Sequence, residues 1–506
     1  MSMKNLIDRP KELLELIESC LKPKQKEKQE NGEVFTPMPI VFEILDRLDK
    51  HYIEENGRSI FSVPDLKWFD PASGMGNFPV GVYMRLMVGL EKEIPDAEER
   101  RRHIIEDMLF MSEINAKNVF ICREIFNGDK YKMNIHEGNT LEMIESDLSD
   151  KWKAVLKDGF DVIVGNPPFN KGGIRSCTGN KLGDKNETIW PLFIEKSLGS
   201  SGRLGWLKAS GYLAFINPLS WLKKSHSMHN KMLEMHIVWL KLWDDIKSKV
   251  MINASIPISL YILKNISNGA RKTTEILSEL QNNKIKDYSN EYSNEYLDKD
   301  LTIPLAFHCI FAKLKNFIEK HDCKLEYKTK TVSSTGDKMK LPENYTIEDM
   351  WAVDTFTIKD GIMVKRASEK HPDMEKRKLI IANKRGFVGS FIDEGELGLT
   401  GNHKFYVLGE NLELIHKMTR FGIVGIVSQY TKYGQGFLDN SAFTYIPDLR
   451  KIDGITDIEE EEFYKLIGLT QEEKNKIKCL SCGIKIEPVV LNEERIVMIK
   501  KQRNVL

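Results

Sequence analysis

Asp161-Val162-Ile163-Val164-Gly165-Asn166-Pro167-Pro168-Phe169 brings an apolar run of strand character to an amide, two prolines and an aromatic ring at one point. Such a grouping suits chemistry on a planar amine. The lone pair of an exocyclic ring amine is delocalised, so a catalyst must hold its hydrogens with acceptors that favour pyramidal geometry. Asn166 Oδ1 and the carbonyl of Pro167 are candidates. Proline fixes φ and lacks an N–H, so Pro167 and Pro168 stiffen the backbone and leave its carbonyls to face a ligand, while Phe169 offers a face for stacking a base. A strand that simply ends at a proline turn would look the same locally. The neighbouring elements must decide.

Leu66-Lys67-Trp68-Phe69-Asp70-Pro71-Ala72-Ser73-Gly74-Met75-Gly76-Asn77-Phe78 reads as a short strand, a glycine turn and the apolar start of a helix continued by Val80, Val82 and Leu86. Gly74 and Gly76 lack Cβ, which permits positive φ and lets backbone N–H groups approach a ligand at a strand's C-terminal end. Met108 to Asn115 is a second apolar strand ending in an acid, Glu113, placed to accept from ribose hydroxyls; Ile114 follows it. A solvated acid opening the next helix would have the same local pattern. Upstream, Thr36 is placed as N-cap and Pro37 as first residue of a helix through Ile40, Val41, Ile44 and Leu45.

The Asn-Pro-Pro-Phe tetrapeptide resembles the catalytic motif of amino-methyltransferases that use S-adenosylmethionine, above all the DNA adenine-N6 methyltransferases. RNA adenine and protein glutamine methylases share it. Asp70-Pro71-Ala72-Ser73-Gly74-Met75-Gly76-Asn77-Phe78 is similar to the family's first motif, whose loop holds the methionine part of the cofactor. Phe35-Thr36-Pro37 resembles the extra motif that closes over the cofactor's carboxylate end in the DNA enzymes. Ile135 to Leu141 resembles the motif that reads the cofactor adenine, with Asn139 where the family usually has Asp; an amide still accepts from an amine.

The resemblance spans about residues 31–263, in the motif order of the gamma group of Type II modification enzymes. It implies S-adenosylmethionine as cofactor, bound by Thr36, Asp70, Ala72, Gly74, Gly76, Asn77, Phe78, Glu113, Ile114, Asn139 and Asn166. It implies catalysis by Asn166, Pro167, Pro168 and Phe169 on an adenine flipped out of double-stranded DNA. Methyl transfer from a sulfonium asks for no metal. The family often adds a second stacking aromatic near Val250-Met251-Ile252; here Met251 or Trp243 would have to serve.

Strands expected near 66–69, 108–112, 133–136, 160–165, 211–216, 237–242 and 256–263, separated by helical segments, indicate an α/β doubly wound Rossmann-like core over 1–264, with a helical extension at 1–30. Residues 265–300, where Tyr-Ser-Asn-Glu repeats, read as a linker. Residues 301–455 read as a mixed α+β target-recognition domain and 456–506 as a tail. Lys384 and Arg385, and Gln429 and Lys432 in a polar aromatic loop from Ser428 to Gly436, are candidate DNA contacts. So are Lys223, Lys224 and His226, beside His229, although such charges also suit a solvated helix end.

Across 506 residues, 41% are hydrophobic and 29% charged, and 74 basic balance 74 acidic side chains, so local rather than net charge must attract nucleic acid. No apolar run of about eighteen residues or signal-like start appears, so an intracellular chain without membrane contact is expected. Seven cysteines, an odd and scattered set, fit a reducing compartment. Cys479 and Cys482 lack a second pair nearby for a zinc site. The Pro372-Asp373 loop with Glu375 and Lys376 is too compressed for a metal nuclease centre, so a methylase without nuclease is expected, with any cognate endonuclease on a separate chain; the methylase itself is expected to be a monomer. An RNA adenine methylase, a methylase-nuclease fusion partner and a catalytically dead DNA-binding protein are the alternatives.

Overall fold

The apolar runs that read as strands converge in one sheet. The structure, a computed structural model, describes residues 7, 9, 12–15, 36–144, 146, 148–170, 188–199, 205–243, 257–267, 272–279, 290–357, 361–382, 390–401, 404–431, 433 and 440–481. The chain divides into two compact units: Met1–Trp221 with Ser225–Lys299, and Leu222–Lys224 with Asp300–Leu506.

In the first unit the strands are β1 (Trp68–Asp70), β2 (Leu109–Glu113), β3 (Asn134–Glu137), β4 (Phe160–Gly165), β5 (Leu207–Pro218), β6 (Met235–Trp243), β7 (Ile258–Ser267), β8 (Thr274–Glu279) and β9 (Asn290–Glu295). Their order is β3-β2-β1-β4-β5-β7-β6-β8-β9. Neighbours from β3 to β5 pair in parallel, whereas β7 runs antiparallel to both β5 and β6. The helices are α1 (Met38–Asn56), α2 (Asn77–Gly89), α3 (Ala97–His103), α4 (Ala116–Ile125), α5 (Asp150–Asp158), α6 (Trp190–Leu198) and α7 (Ser227–Leu233).

The central strands are apolar on both faces because both faces are covered. Trp68, Leu109, Met111, Val162, Val164, Ala214 and Ile216 share a core with Ile40, Val41 and Ile44 of α1 and Val80, Val82 and Leu86 of α2. On the opposite side Phe69, Phe110 and Phe160 surround Trp152 of α5 with edge-to-face and stacked rings. Polar anchors add to α1: Glu43 pairs with the buried Lys241 of β6, and Arg47 with Glu275 of β8.

Residues 265–300 are not the linker expected from their polarity. The described part of this stretch continues β7 and adds β8 and β9, which pair with each other and extend the sheet. Ile276 and Leu277 are buried, so two apolar residues in a polar stretch suffice for a strand on an existing edge.

Among the described residues the second unit holds α8 (His308–His321) and seven short strands: β10 (Ser334–Lys340), β11 (Trp351–Thr357), β12 (Gly361–Ala367), β13 (Lys378–Ala382), β14 (Ser390–Asp393), β15 (Gly398–Leu399) and β16 (Lys404–Leu408). They form a four-stranded sheet β10-β12-β11-β15 and a three-stranded sheet β14-β13-β16. Helices α9 (Leu412–Met418), α10 (Gly422–Tyr430), α11 (Glu460–Leu466) and α12 (Gln471–Ser481) follow. The expected tail at 456–506 therefore begins inside this unit, because Phe463, Tyr464 and Ile477 are buried there.

Candidate active site

Four parallel strands, β3, β2, β1 and β4, end side by side, and the order reverses between β1 and β4. Ligands of such sheets bind in the crevice at that reversal, beyond the carboxyl ends of the strands. Asp70 closes β1, Glu113 closes β2, Gly138 and Asn139 follow β3, and Asn166 follows β4. Residues far apart in the chain thus share one sheet edge because their strands are neighbours in register: Asp70 opposite Met111, Phe69 opposite Ile163.

The turn after β1 is built as its glycines require. Gly74 and Gly76 have φ of 53° and 92°, and Gly76 is the cap residue of α2. The turn is tied to β2, since Gly74 N–H donates to Glu113 Oε2 at 2.8 Å and Ser73 N–H to the Ser112 carbonyl at 3.0 Å. Glu113 Oε1 accepts from Asn115 N–H at 2.8 Å, which pins the carboxylate. Asp70 Oδ1 accepts from Ala72 N–H at 3.0 Å. Burial, with Glu113 as the neighbouring charge, pushes the Asp70 carboxyl up to about 8. Gly165 lets β4 approach: a Cβ there would stand 2.7 Å from Asp70 Oδ1.

Thr36 differs from its expected place. Pro37, not Thr36, holds the cap position of α1, and it has no side-chain capping bond. Thr36 is instead turned inward, with its Oγ1 accepting from Asn166 Nδ2 at 3.2 Å and its carbonyl accepting from Asn77 Nδ2 at 2.8 Å. A carbonyl only accepts, so Asn77 must point its nitrogen at Thr36, and its Oδ1 is a buried acceptor with no hydrogen-bond partner among the described residues. Pro167 is buried, whereas Asn166, Pro168 and Phe169 are half-buried at the end of β4.

Asn139 Oδ1 accepts from Leu141 N–H at 3.2 Å, capping a short turn after β3. Ile114 is 69% exposed beside Glu113, an apolar wall open to a flat ring. Phe78 is a correction: its side chain lies in the core under α2 and only its backbone belongs to the turn. Trp243, one of the two candidates for a second stacking group, is buried at the end of β6 and donates to Glu279, so it is structural. Met251 lies outside the described residues.

Sequence reading missed a buried polar brace behind the site. Thr140 Oγ1 reaches the Pro71 carbonyl at 2.6 Å and Ser112 Oγ at 2.7 Å, and Ser112 Oγ meets His136 Nδ1 at 3.0 Å. A Ser inside an apolar strand and a Thr after Asn139 were the available signals. Cys122 was missed too: it packs against Gly76, and burial raises its thiol well above the ordinary range.

The nucleic-acid candidates are scattered. His226 caps α7 by accepting from Met228 N–H and stacks on Trp190 at 5.2 Å, and His229 is fully buried between the Trp221 and Lys299 carbonyls. Neither is the solvated cation expected. In the second unit Lys223 lies 5.9 Å from the Tyr433 ring centre, and Lys224 is exposed near Asp300. Gln429 is exposed, but on α10 rather than in a loop; Ser428, Tyr430 and Tyr433 around it are buried. Lys384, Arg385, Lys432 and Cys482 lie outside the described residues. Asp373 is held by Lys328, Lys376 and Tyr406, and the buried Lys378 pairs with Asp393 at 2.6 Å, so this turn is an ion-paired staple. No group of metal-ligating side chains is present among the described residues. No described helix is long and apolar enough to cross a membrane.

This sheet order, five parallel strands followed by an antiparallel β7 set between β5 and β6, with a glycine turn after β1 and an amide-proline loop after β4, is a doubly wound α/β fold. Residues 96–246 match the family model of the Eco57I restriction-modification methylases. The chain is 41% identical over 254 residues to an uncharacterised adenine-specific methylase of Mycoplasma pneumoniae, covering 38% of this chain and 56% of that protein. It therefore spans little more than half the length of that curated relative. Similar solved structures include the Type IIL restriction-modification enzyme MmeI in complex with DNA, at TM-score 0.48 and 11% identity, covering 96% of this chain and 81% of that one. Another is a modification subunit of a putative type I restriction enzyme from Vibrio vulnificus, at TM-score 0.36 and 16% identity, covering 73% and 66%.

Proposed function

We propose that the chain transfers a methyl group from S-adenosylmethionine to the N6 amine of an adenine flipped out of double-stranded DNA, as the modification component of a restriction-modification system. The observation that carries this reading is the placement of Asn166 after β4, beside the strand-order reversal and bonded through Thr36 to the glycine turn. The match to the Eco57I methylases and the adenine-specific relative support the substrate class.

The site fits a cationic nucleoside cofactor. Asp70 and Glu113 make an acidic cradle in which burial disfavours uncompensated charge, and Asn77 Oδ1 is an acceptor that an ammonium can satisfy. Glu113, at the end of β2, is the carboxylate placed for ribose hydroxyls, and Ile114 offers an apolar wall for a purine. S-adenosylmethionine supplies an already activated methyl, so the protein's task is positioning.

Asn166 Oδ1 and the Pro167 carbonyl accept from the adenine amine and draw its lone pair out of conjugation as it attacks. Phe169 stacks on the flipped base, offsetting a cost of unstacking of a few kcal/mol. The half-buried loop limits water at the amine during attack; as the N6–methyl bond forms the sulfonium–methyl bond breaks and leaves the neutral thioether, and the extra proton on the methylated amine is released to solvent afterwards. The second unit is assigned to target recognition, with Lys384, Arg385, Gln429 and Lys432 as DNA contacts, and Lys223 and Lys224 near the phosphates.

The test is tritiated methyl transfer to duplex DNA, structured RNA and protein in competition, followed by single-molecule sequencing of the treated DNA. N6-methyladenine at one recurrent sequence is expected. Label only in RNA or in protein would reject the DNA reading.

A further inference from the structure

We infer that Thr36 is a positioning residue that locks the catalytic amide to the cofactor turn; this rests on the methyl-transfer reading above. Thr36 is 3% exposed and joins two asparagines 41 and 130 positions away. Its carbonyl takes Asn77 Nδ2 at 2.8 Å, and its hydroxyl takes Asn166 Nδ2 at 3.2 Å. Asn77 is the first residue of α2, directly after Gly76, and Asn166 is the first residue after β4. One residue at the start of α1 thus spans the two loops that must meet for methyl transfer.

The physical need for such a lock is specific. An Asn amide turns about its terminal torsion in a broad, roughly two-fold well, so the backbone alone does not set the plane of its oxygen. A hydroxyl at Nδ2 sets that plane. A target amine is a donor and selects Oδ1, which leaves Nδ2 on Thr36 Oγ1. The chain carbonyl of Thr36 meanwhile holds Asn77 whatever the side chain is, so substitution of the Thr36 side chain separates the two tethers. The hydroxyl acts on Asn166, and the backbone acts on the cofactor turn.

Thr36→Val keeps shape and removes the hydroxyl, Thr36→Ser keeps the hydroxyl, and Thr36→Ala is the smaller backup should the valine variant fold poorly by thermal melting. Single-turnover methylation of DNA, the Kd for S-adenosylhomocysteine by calorimetry, and crystals of each protein are the readouts. In Thr36→Val the rate is expected to fall roughly 10–100-fold while the Kd stays within about threefold, because the share of Thr36 in holding the cofactor turn is carried by its main-chain carbonyl, which the substitution keeps, and Thr36→Ser is expected to recover to within about threefold of wild type. The Asn166 amide should lose its single orientation in Thr36→Val crystals.

An unchanged rate, a Kd that worsens as much as the rate, or a serine variant as slow as the valine one would overturn the lock. So would an Asn166 amide that keeps its wild-type orientation in Thr36→Val, a readout independent of turnover. A wild-type protein that methylates nothing would instead defeat the proposed function, with the crystal comparison still deciding the lock.

Discussion

Replacing Asp70 by Asn tests the electrostatics of the candidate site directly. The native carboxyl is raised from 3.8 to about 8 by burial and by Glu113. The folded state therefore holds a proton that the unfolded chain releases above its ordinary value, so folding is favoured at low pH and loses stability as pH rises toward 8. The slope is roughly 1.4 kcal/mol per pH unit, or about 3 kcal/mol between pH 5 and 7. Asn is nearly isosteric, can still accept from Ala72 N–H, and does not titrate. Urea unfolding of both proteins at pH 5, 6 and 7 should thus show the wild type losing stability relative to Asp70→Asn at that slope, since other groups cancel in the difference. A cationic ligand favours the ionised carboxyl, so S-adenosylmethionine should bind the wild type more tightly as pH rises to about 8 and bind Asp70→Asn with little pH dependence. Parallel stability curves for the two proteins would refute a buried protonated carboxyl at this position.

Asn166→Ala should reduce turnover by roughly 10³-fold while leaving S-adenosylhomocysteine affinity near wild type in calorimetry; equal loss of both would remove its catalytic role. Gly165→Ala places a Cβ 2.7 Å from Asp70 Oδ1, and melting should show destabilisation of roughly 1–3 kcal/mol together with weaker cofactor binding. Lys384→Ala with Arg385→Ala should weaken DNA binding and flatten its salt dependence, the logarithmic slope falling by roughly one for each phosphate that the variant no longer neutralises. Unchanged affinity at every salt concentration would free this segment from the recognition role. Thr36→Val, with its separation of rate from cofactor affinity, completes the set.

The strands of the first unit were legible because their apolar runs are buried on both faces, a signal that needs no partner to be seen. The glycine turn was legible because Gly74 and Gly76 adopt positive φ, which few other residues tolerate. Polar edge strands were not: β8 and β9 carry few apolar residues and are strands because a sheet edge was present to pair with. Charge misled for a related reason, since His226 and His229 sit in a basic stretch yet serve as a helix cap and a buried bridge.

From the sequence alone came the residue types that bear on methyl transfer, the order of the loops that carry them, and the strand pattern that predicts a doubly wound sheet. Tertiary structure alone decided that Thr36 faces Asn166 rather than capping its helix, that Phe78 belongs to the core, that burial raises the Asp70 carboxyl, and that the polar stretch after β7 extends the sheet. The physical reason is range. Periodicity and turn chemistry act between near neighbours and are written locally, whereas a hydrogen bond across 130 positions or the desolvation of a carboxyl exists only once the packing that creates it has formed.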